Sequence, residues 1–259
     1  HSSHRRQRQM CIRDSTYLEE DQILYRISKI KFDTSDVVED ADELEDELLD
    51  LVKQERNKTF LGKLKPRLWV YHRTKHDSTK VKDWIRKTFG EEPSIFDSSA
   101  VERTVKNMEN FLYNVGYFHP EVTYKVKYKN SEARVHYHVD VNKRFYMDSV
   151  IYDIYDTAIA NLVSKMGKSK MKNGVPFDVR LMREERTRIT EMLHEKGYYK
   201  FEKDYIYFEV DTNRASGNVN VYVSVKKPVK GENHHVYYIR NVFIYPNYRK
   251  DYNKTGLDT

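Results

Sequence analysis

Residues 181–199, LMREERTRITEMLHEKGYY, run from Leu181 through Glu185, Arg186 and Ile189 to Gly197-Tyr198-Tyr199, and residues 101–118, VERTVKNMENFLYNVGYF, follow the same plan. With Gly116 set against Gly197, Met108 falls on Ile189, Phe111 on Met192 and Leu112 on Leu193. Gly116-Tyr117-Phe118 then falls on Gly197-Tyr198-Tyr199. Val101, Val105, Met108 and Leu112 make one apolar helical stripe, as the 3.6-residue period requires of a helix lying on a core. Each glycine stands where a left-handed residue closes a helix. A supersecondary unit that recurs in this way is the mark of an array.

The pattern extends on both sides of these helices. After Gly116, Val122, Tyr124, Val126 and Tyr128 alternate along one strand, and Val135, Tyr137, Val139 and Val141 along the next, joined through Asn130 and Ser131. After Gly197, strands are predicted over 205–210 and 219–225, the latter alternating at Val219, Val221, Val223 and Val225. Opening strands match three ways, an aromatic followed by apolar residues at +2, +5 and +7: Tyr25, Ile27, Ile30, Phe32; Phe145, Met147, Val150, Tyr152; Tyr237, Ile239, Val242, Ile244.

Between the first opening strand (22–32) and the helix that ends at Gly116, Leu44, Leu48, Leu51 and Val52 share a helical face. The acids on its other side, Glu39 to Asp50, complement the helix dipole. Ser99 and Glu102 have the spacing of a capping box. Residues 57–93 are less regular, with Pro66 and Trp69 at their centre and a short helix predicted over 81–88. In the second unit a short helix is predicted over 158–166, and a second one capped by Asp178 and running to Lys196.

The chain has 259 residues, 21 Tyr against 9 Gly, and a net charge of +6. Arg5, Arg6, Arg8 and Arg13 face a single acid, Asp14, in residues 1–15; without that segment 42 basic residues oppose 39 acidic ones. The remaining Lys and Arg read as dispersed among acids, a weak field for nucleic acid. The segment RQRQMCIRDS, residues 6–15, resembles translated sequencing-adapter sequence and is set aside as non-native. Cys11, the one cysteine, lies inside it, so neither a disulfide framework nor a cysteine metal site is expected. No apolar run approaches the roughly 20 residues that cross a bilayer as a helix.

The sequence carries no positive catalytic signature. Gly167-Lys168-Ser169 suggests a phosphate loop, but the position requiring the upstream glycine is Leu162. Nucleophile-elbow, HExxH and dinucleotide motifs are absent. His136 and His138 share a strand face, but no third ligand is evident nearby, so they read as solvent-facing rather than metal-binding. His234 and His235 read as linker. The expectation is a binding scaffold with no catalytic residue, metal or cofactor.

A βααββ unit whose second helix ends in Gly-Tyr-aromatic before a hairpin resembles the POTRA domain. The run from Leu181 through Glu185, Arg186 and Ile189 to Gly197-Tyr198-Tyr199, with Phe201 after it, is similar to units of the BamA/TamA family of outer-membrane assembly proteins. Glu91-Glu92-Pro93 and Trp69-Val70-Tyr71 resemble its Bacteroidetes branch, with its TamA-like lipoprotein members. The likeness spans roughly residues 20–248. It departs from the family in an insertion between the helices of the first unit and in the lack of a membrane barrel.

The resemblance implies an α+β fold of tandem βααββ domains, each a three-stranded mixed sheet packed against two helices. The first unit spans 20–144 with its insertion and the second 145–232; a third, truncated one begins at 233 and runs to 259. It further implies a periplasmic arm on an outer-membrane barrel, with unfolded outer-membrane proteins and accessory assembly proteins as partners. A small sheet with an open edge takes an extended client as an added strand, through main-chain bonds that tolerate many sequences. The family's usual edge is the strand after the second helix, 121–128 and 204–210 here, which makes Tyr124, Val126, Tyr128, Tyr205 and Tyr207 the candidate client-binding residues. The alternatives are an arm of a two-partner-secretion transporter and, from the residual charge and exposed tyrosines, an α+β nucleic-acid-binding module.

Overall fold

The computed structural model describes residues 22–33, 38, 40–58, 65–74, 79–129, 131–213, 216–228, 231 and 233–244. Among these described residues six strands and six α-helices follow in order: β1 (Leu24–Phe32), α1 (Ala41–Asp50), α2 (Pro66–Thr74), α3 (Lys80–Phe89), α4 (Ser98–Asn114), β2 (Glu121–Lys129), β3 (Glu132–Asp140), β4 (Tyr146–Asp153), α5 (Thr157–Ser164), α6 (Val179–Glu195), β5 (Ile206–Asn213) and β6 (Asn218–Val225). The chain divides into two compact units. One holds 1–148 with 173–180 and 212–219; the other holds 149–172, 181–211 and 220–259.

In the first unit the sheet order is β1-β3-β2. β1 runs parallel to the central β3, with a register shift between Tyr25 and Ile27, and β2 runs antiparallel to it, pairing Tyr124 with Tyr137 and Val126 with Val135. A parallel pair needs a crossover of a dozen residues or more, and α1 to α4 supply it. β3 alternates between buried Val135, Tyr137 and Val139 and half-buried Arg134, His136 and His138. The buried set packs on Leu44 and Leu48 of α1 and on Val101, Met108 and Leu112 of α4. On the other face β2 presents exposed Lys125, Lys127 and Lys129.

The second sheet repeats the order, β4-β6-β5. Val219, Val221 and Val223 of β6 are buried, as are Ile159 and Val163 of α5 and Ile189 and Leu193 of α6. Met108, Leu112, Ile189 and Leu193, two pairs matched from the sequence, all have zero exposure.

Both long helices end in one geometry. Tyr117 N donates to Leu112 O at 2.9 Å and Gly116 N to Tyr113 O at 3.3 Å; Tyr198 N donates to Leu193 O at 2.9 Å and Gly197 N to His194 O at 3.0 Å. These are the paired bonds of a Schellman ending. It needs a left-handed residue at the turn, supplied by Gly116 with φ +99° and Gly197 with φ +91°. The start of α4 departs from the expected Ser99–Glu102 box: the cap is Asp97, whose carboxylate accepts from Ser99 N at 2.9 Å. α6 opens as expected, with Asp178 accepting from Arg180 N at 2.7 Å.

Two further differences concern strands. Tyr205 lies in a 3-10 turn, Lys203–Tyr205, and β5 begins one residue later. Residues 233–244, expected to open a third unit, carry no strand, and Tyr238, Ile239, Val242, Phe243 and Ile244 are exposed. A lone strand has no ladder partner, so its backbone cannot acquire strand pairing by itself. Asn130 of the first hairpin and residues 1–15 lie outside the described residues.

Candidate functional site

Each three-stranded sheet has two outer strands, and the two are treated differently. The outer side of β1 is closed by the chain ahead of α4: Tyr25 N donates to Ser94 O at 2.7 Å, Phe96 N donates to Ile23 O at 2.8 Å, and Leu24 bridges Ile95. The outer side of β4 is closed by the chain ahead of α6 in the same manner. Met147 N donates to Val175 O at 2.9 Å, Gly174 N donates to Met147 O at 2.8 Å, and Tyr146 bridges Pro176. Among the described residues no further strand lies on the outer sides of β2 and β5. These are the two strands singled out from the sequence as edges.

The five candidate residues divide by environment. Tyr124 and Val126 turn inward and pack partly buried against the core of the first unit. Tyr128, further along that face, is 60% exposed, with its ring edge-on to Phe96 at 6.1 Å. Tyr207 is half-buried, with Lys226 Nζ 5.7 Å from its ring centre. Tyr205 packs on Phe201 at 5.5 Å and on His234 at 4.7 Å, and His234 Nε2 lies 3.0 Å from Lys226 O. His234 is thus held in an aromatic notch.

Several buried polar groups are supported by partners, in distinct ways. In the first unit Tyr25 and Ser28 share a hydrogen bond of 2.8 Å, and Tyr137 bonds Thr104 and Ser28. Burial raises the pKa of both tyrosines, so this node stays neutral. At the start of β3, Glu132 is nearly buried and receives Arg26 at 2.5 Å and Lys65 at 2.8 Å. Burial alone would raise its carboxyl pKa, but the two cations prevail and hold it below its ordinary value.

The second unit buries a charge more deeply. Glu185 on α6 is 3% exposed. It accepts from Tyr152 Oη at 2.7 Å, Ser169 Oγ at 2.8 Å and Arg188 at 2.9 and 2.5 Å. Arg188 also donates to Gly167 O at 2.7 Å. Burial works against the carboxylate, yet these donors hold its pKa below normal. Burial and the neighbouring carboxylate push Tyr152 up to about 12. The network joins β4, the loop after α5, and α6. The Gly167-Lys168-Ser169 run therefore has a structural task, as acceptor and donor in this network.

His136 and His138 lie on the outer face of the first sheet, as read from the sequence. His138 Nδ1 is 2.5 Å from Asp33 Oδ2. Burial, and then the cations Lys127 and Lys29, lower the pKa of His136. Among the described residues no group of three His, Cys, Asp or Glu side chains is placed to hold a metal. None of the described helices is long and apolar enough to cross a membrane.

No curated protein sequence matches the chain. Among solved structures it is similar to POTRA domains 3–5 of Haemophilus influenzae BamA, at 10% identity and TM-score 0.41, covering 81% of this chain and 68% of that one. It is also similar to POTRA domains 1–3 of Omp85 from Anabaena, at 11% identity and TM-score 0.37, covering 78% and 61%. Escherichia coli CdiB is similar at 12% identity and TM-score 0.27, covering 86% of this chain and 32% of that one. The assignment rests on the family model. The model described as POTRA, surface antigen variable number repeat, matches residues 25–144, the stretch from β1 through β3 with its closed and open edges. Residues 25–144 of this chain are a POTRA domain.

Proposed function

We propose that this chain is part of the periplasmic arm of an outer-membrane protein assembly factor of the BamA/TamA kind, and that it takes extended client segments as added strands on β2 and β5. The observation that carries this reading is the asymmetry of edges: β1 and β4 are each covered by the chain ahead of the last helix, while among the described residues β2 and β5 stand last in their sheets with no further strand beside them. An open edge offers a row of main-chain donors and acceptors, and these bind an extended chain with little regard to its side chains. Tyr128 and Tyr207 flank the two edges and supply aromatic surface to a client side chain. Residues 233–259 are read as the opening of a third unit whose exposed apolar residues, Ile239, Val242 and Ile244, await the rest of their sheet.

The test is an amide-resolved titration of the chain with synthetic peptides copied from outer-membrane β-strands. Perturbations concentrated in 121–129 and 206–213 are expected. Binding that moves the amides of 24–32 and 146–153 instead, or no binding at millimolar peptide, would overturn the edge assignment.

A further inference from the structure

The insertion between α1 and α4 carries a feature that strand addition does not use. Residues 58–89 contain ten Lys and Arg against Asp77 and Asp83, a local charge of +8 in a chain whose total is +6. The positive charge is therefore concentrated here, contrary to the dispersed reading taken from the composition. α3, KVKDWIRKTF, is strongly amphipathic. Val81, Trp84, Ile85 and Phe89 fall on one stripe, Lys80 and Lys82 flank it, and Asp83, Arg86 and Lys87 lie opposite.

A stripe of this kind ordinarily lies on a core, but none of the ten side chains of α3 is buried. Val81 is 63% exposed and Trp84 60%, and Phe89 stands edge-on to Trp84 at 6.0 Å. α2 behaves differently. Its Leu68 is buried, Arg67 O accepts from Glu91 N at 3.2 Å, and Lys65 just ahead of it reaches Glu132. α2 is tied to the unit, and α3 is attached through it, with Arg86 donating to Thr74 O at 3.1 Å. The one acid on α3, Asp83, is engaged by Lys87 at 2.9 Å and by Arg86, so it does little to offset the cations around the stripe.

We infer that α3 is an interfacial helix that seats its Val81–Trp84–Phe89 stripe in an anionic lipid surface, with Lys80 reaching the phosphates at its margin. Low mean hydropathy, a wide apolar stripe carrying Trp and Phe, and flanking lysines are the properties that place a helix in the plane of a bilayer surface. The excess of cations selects anionic headgroups, each cation near such a surface strengthening binding by a factor of about five. The inference stands on the insertion alone and does not require the client-binding role of β2 and β5.

Both tryptophans of the chain, Trp69 and Trp84, lie in this insertion, so intrinsic fluorescence reports on it without a label. The experiment titrates the full chain with vesicles of phosphatidylcholine and with vesicles containing a third phosphatidylglycerol, following Trp emission and acrylamide quenching. A blue shift and protection from quenching are expected with the anionic vesicles, at more than about tenfold lower lipid than with neutral ones. The double variant Val81→Glu, Phe89→Glu keeps both reporters and alters only exposed positions; it should retain the wild-type circular dichroism and lose the shift. Three results would each overturn the inference. One is no response to either vesicle. Another is wild-type binding by the double variant, which would move the seat elsewhere on the chain. The third is a blue shift that grows with protein concentration without lipid, which would assign the stripe to a second copy of the chain.

Discussion

The two units repeat one frame and stabilise it with different polar cores. Each has a central strand between an early and a late one, a Schellman ending at Gly116 or Gly197, and a fully buried leucine three residues inside the cap residue, Leu112 or Leu193. At the centre of the first, the polar node is neutral: Tyr25, Ser28, Tyr137 and Thr104. At the matching depth of the second stands a charge, Glu185, surrounded by Arg188, Tyr152 and Ser169. The frame is set by local backbone geometry and apolar spacing, which tolerate such exchange. The polar node is particular to each unit, because every buried polar group requires its own partners.

The comparison is sharpened first by truncating the shared part. Leu112→Ala and Leu193→Ala should each cost about 4 kcal/mol, alike in both units, because each deletes a side chain of zero exposure; urea unfolding of the two variants side by side checks this. The unshared part comes next. Glu185→Ala should cost about 3 kcal/mol by leaving Arg188, Tyr152 and Ser169 without their acceptor. Hydrogen exchange should localise that loss to α6 and the loop before it, while Thr104→Val in the neutral node costs about 1 kcal/mol. A Thr104→Val penalty as large as that of Glu185→Ala would break the contrast.

Glycine replacement is expected to be smaller. Gly116→Ala and Gly197→Ala force a side chain into positive φ, at about 1–2 kcal/mol each, measurable as a drop in Tm, and the drop should be larger at Gly116, where the added Cβ would stand 2.9 Å from the Phe177 carbonyl oxygen.

Acid dependence follows from the carboxylates. The folded pKa of Glu185 lies below its ordinary 4.5, so the stability it contributes is present above 4.5 and is lost as pH falls through the depressed folded value. Glu132 acts in the same direction in the first unit. Glu185→Gln should flatten the loss of stability between roughly pH 5 and 3 for the second unit and leave that of the first in place, as followed by exchange or by resolved NMR signals. The smallest effect is expected at Val81→Ala, within about 0.5 kcal/mol of wild type, because that side chain is exposed.

Features governed by neighbours in sequence were legible. The alternation of β3 and β6, the apolar faces of α1 and α4, and the two glycine endings all follow from spacing within about one helical turn or one strand. The α2 helix was not legible, since it is held by Leu68 and by Lys65 on Glu132, a partner far along the chain. At α4 two capping residues compete within three positions, and Asp97 prevails over Ser99 because its carboxylate reaches the Ser99 amide. The candidate site was legible as strands from their alternation, and as edges only through the family resemblance. That β2 is open depends on Ser94–Phe96 covering β1 rather than β2, and no local pattern in 121–129 records it. The concentration of charge on the insertion was available by counting and was hidden by averaging over the chain.

The lysines of β2 bear on self-recognition. Lys125, Lys127 and Lys129 alternate along one face of the open edge. Were two copies to join β2 to β2 as antiparallel strands, these like charges would confront one another across the seam, a destabilising arrangement. A foreign strand without that cationic row meets no such opposition. These three residues therefore set identical chains against one another at β2, so that crowding alone does not convert the sheet into a growing one.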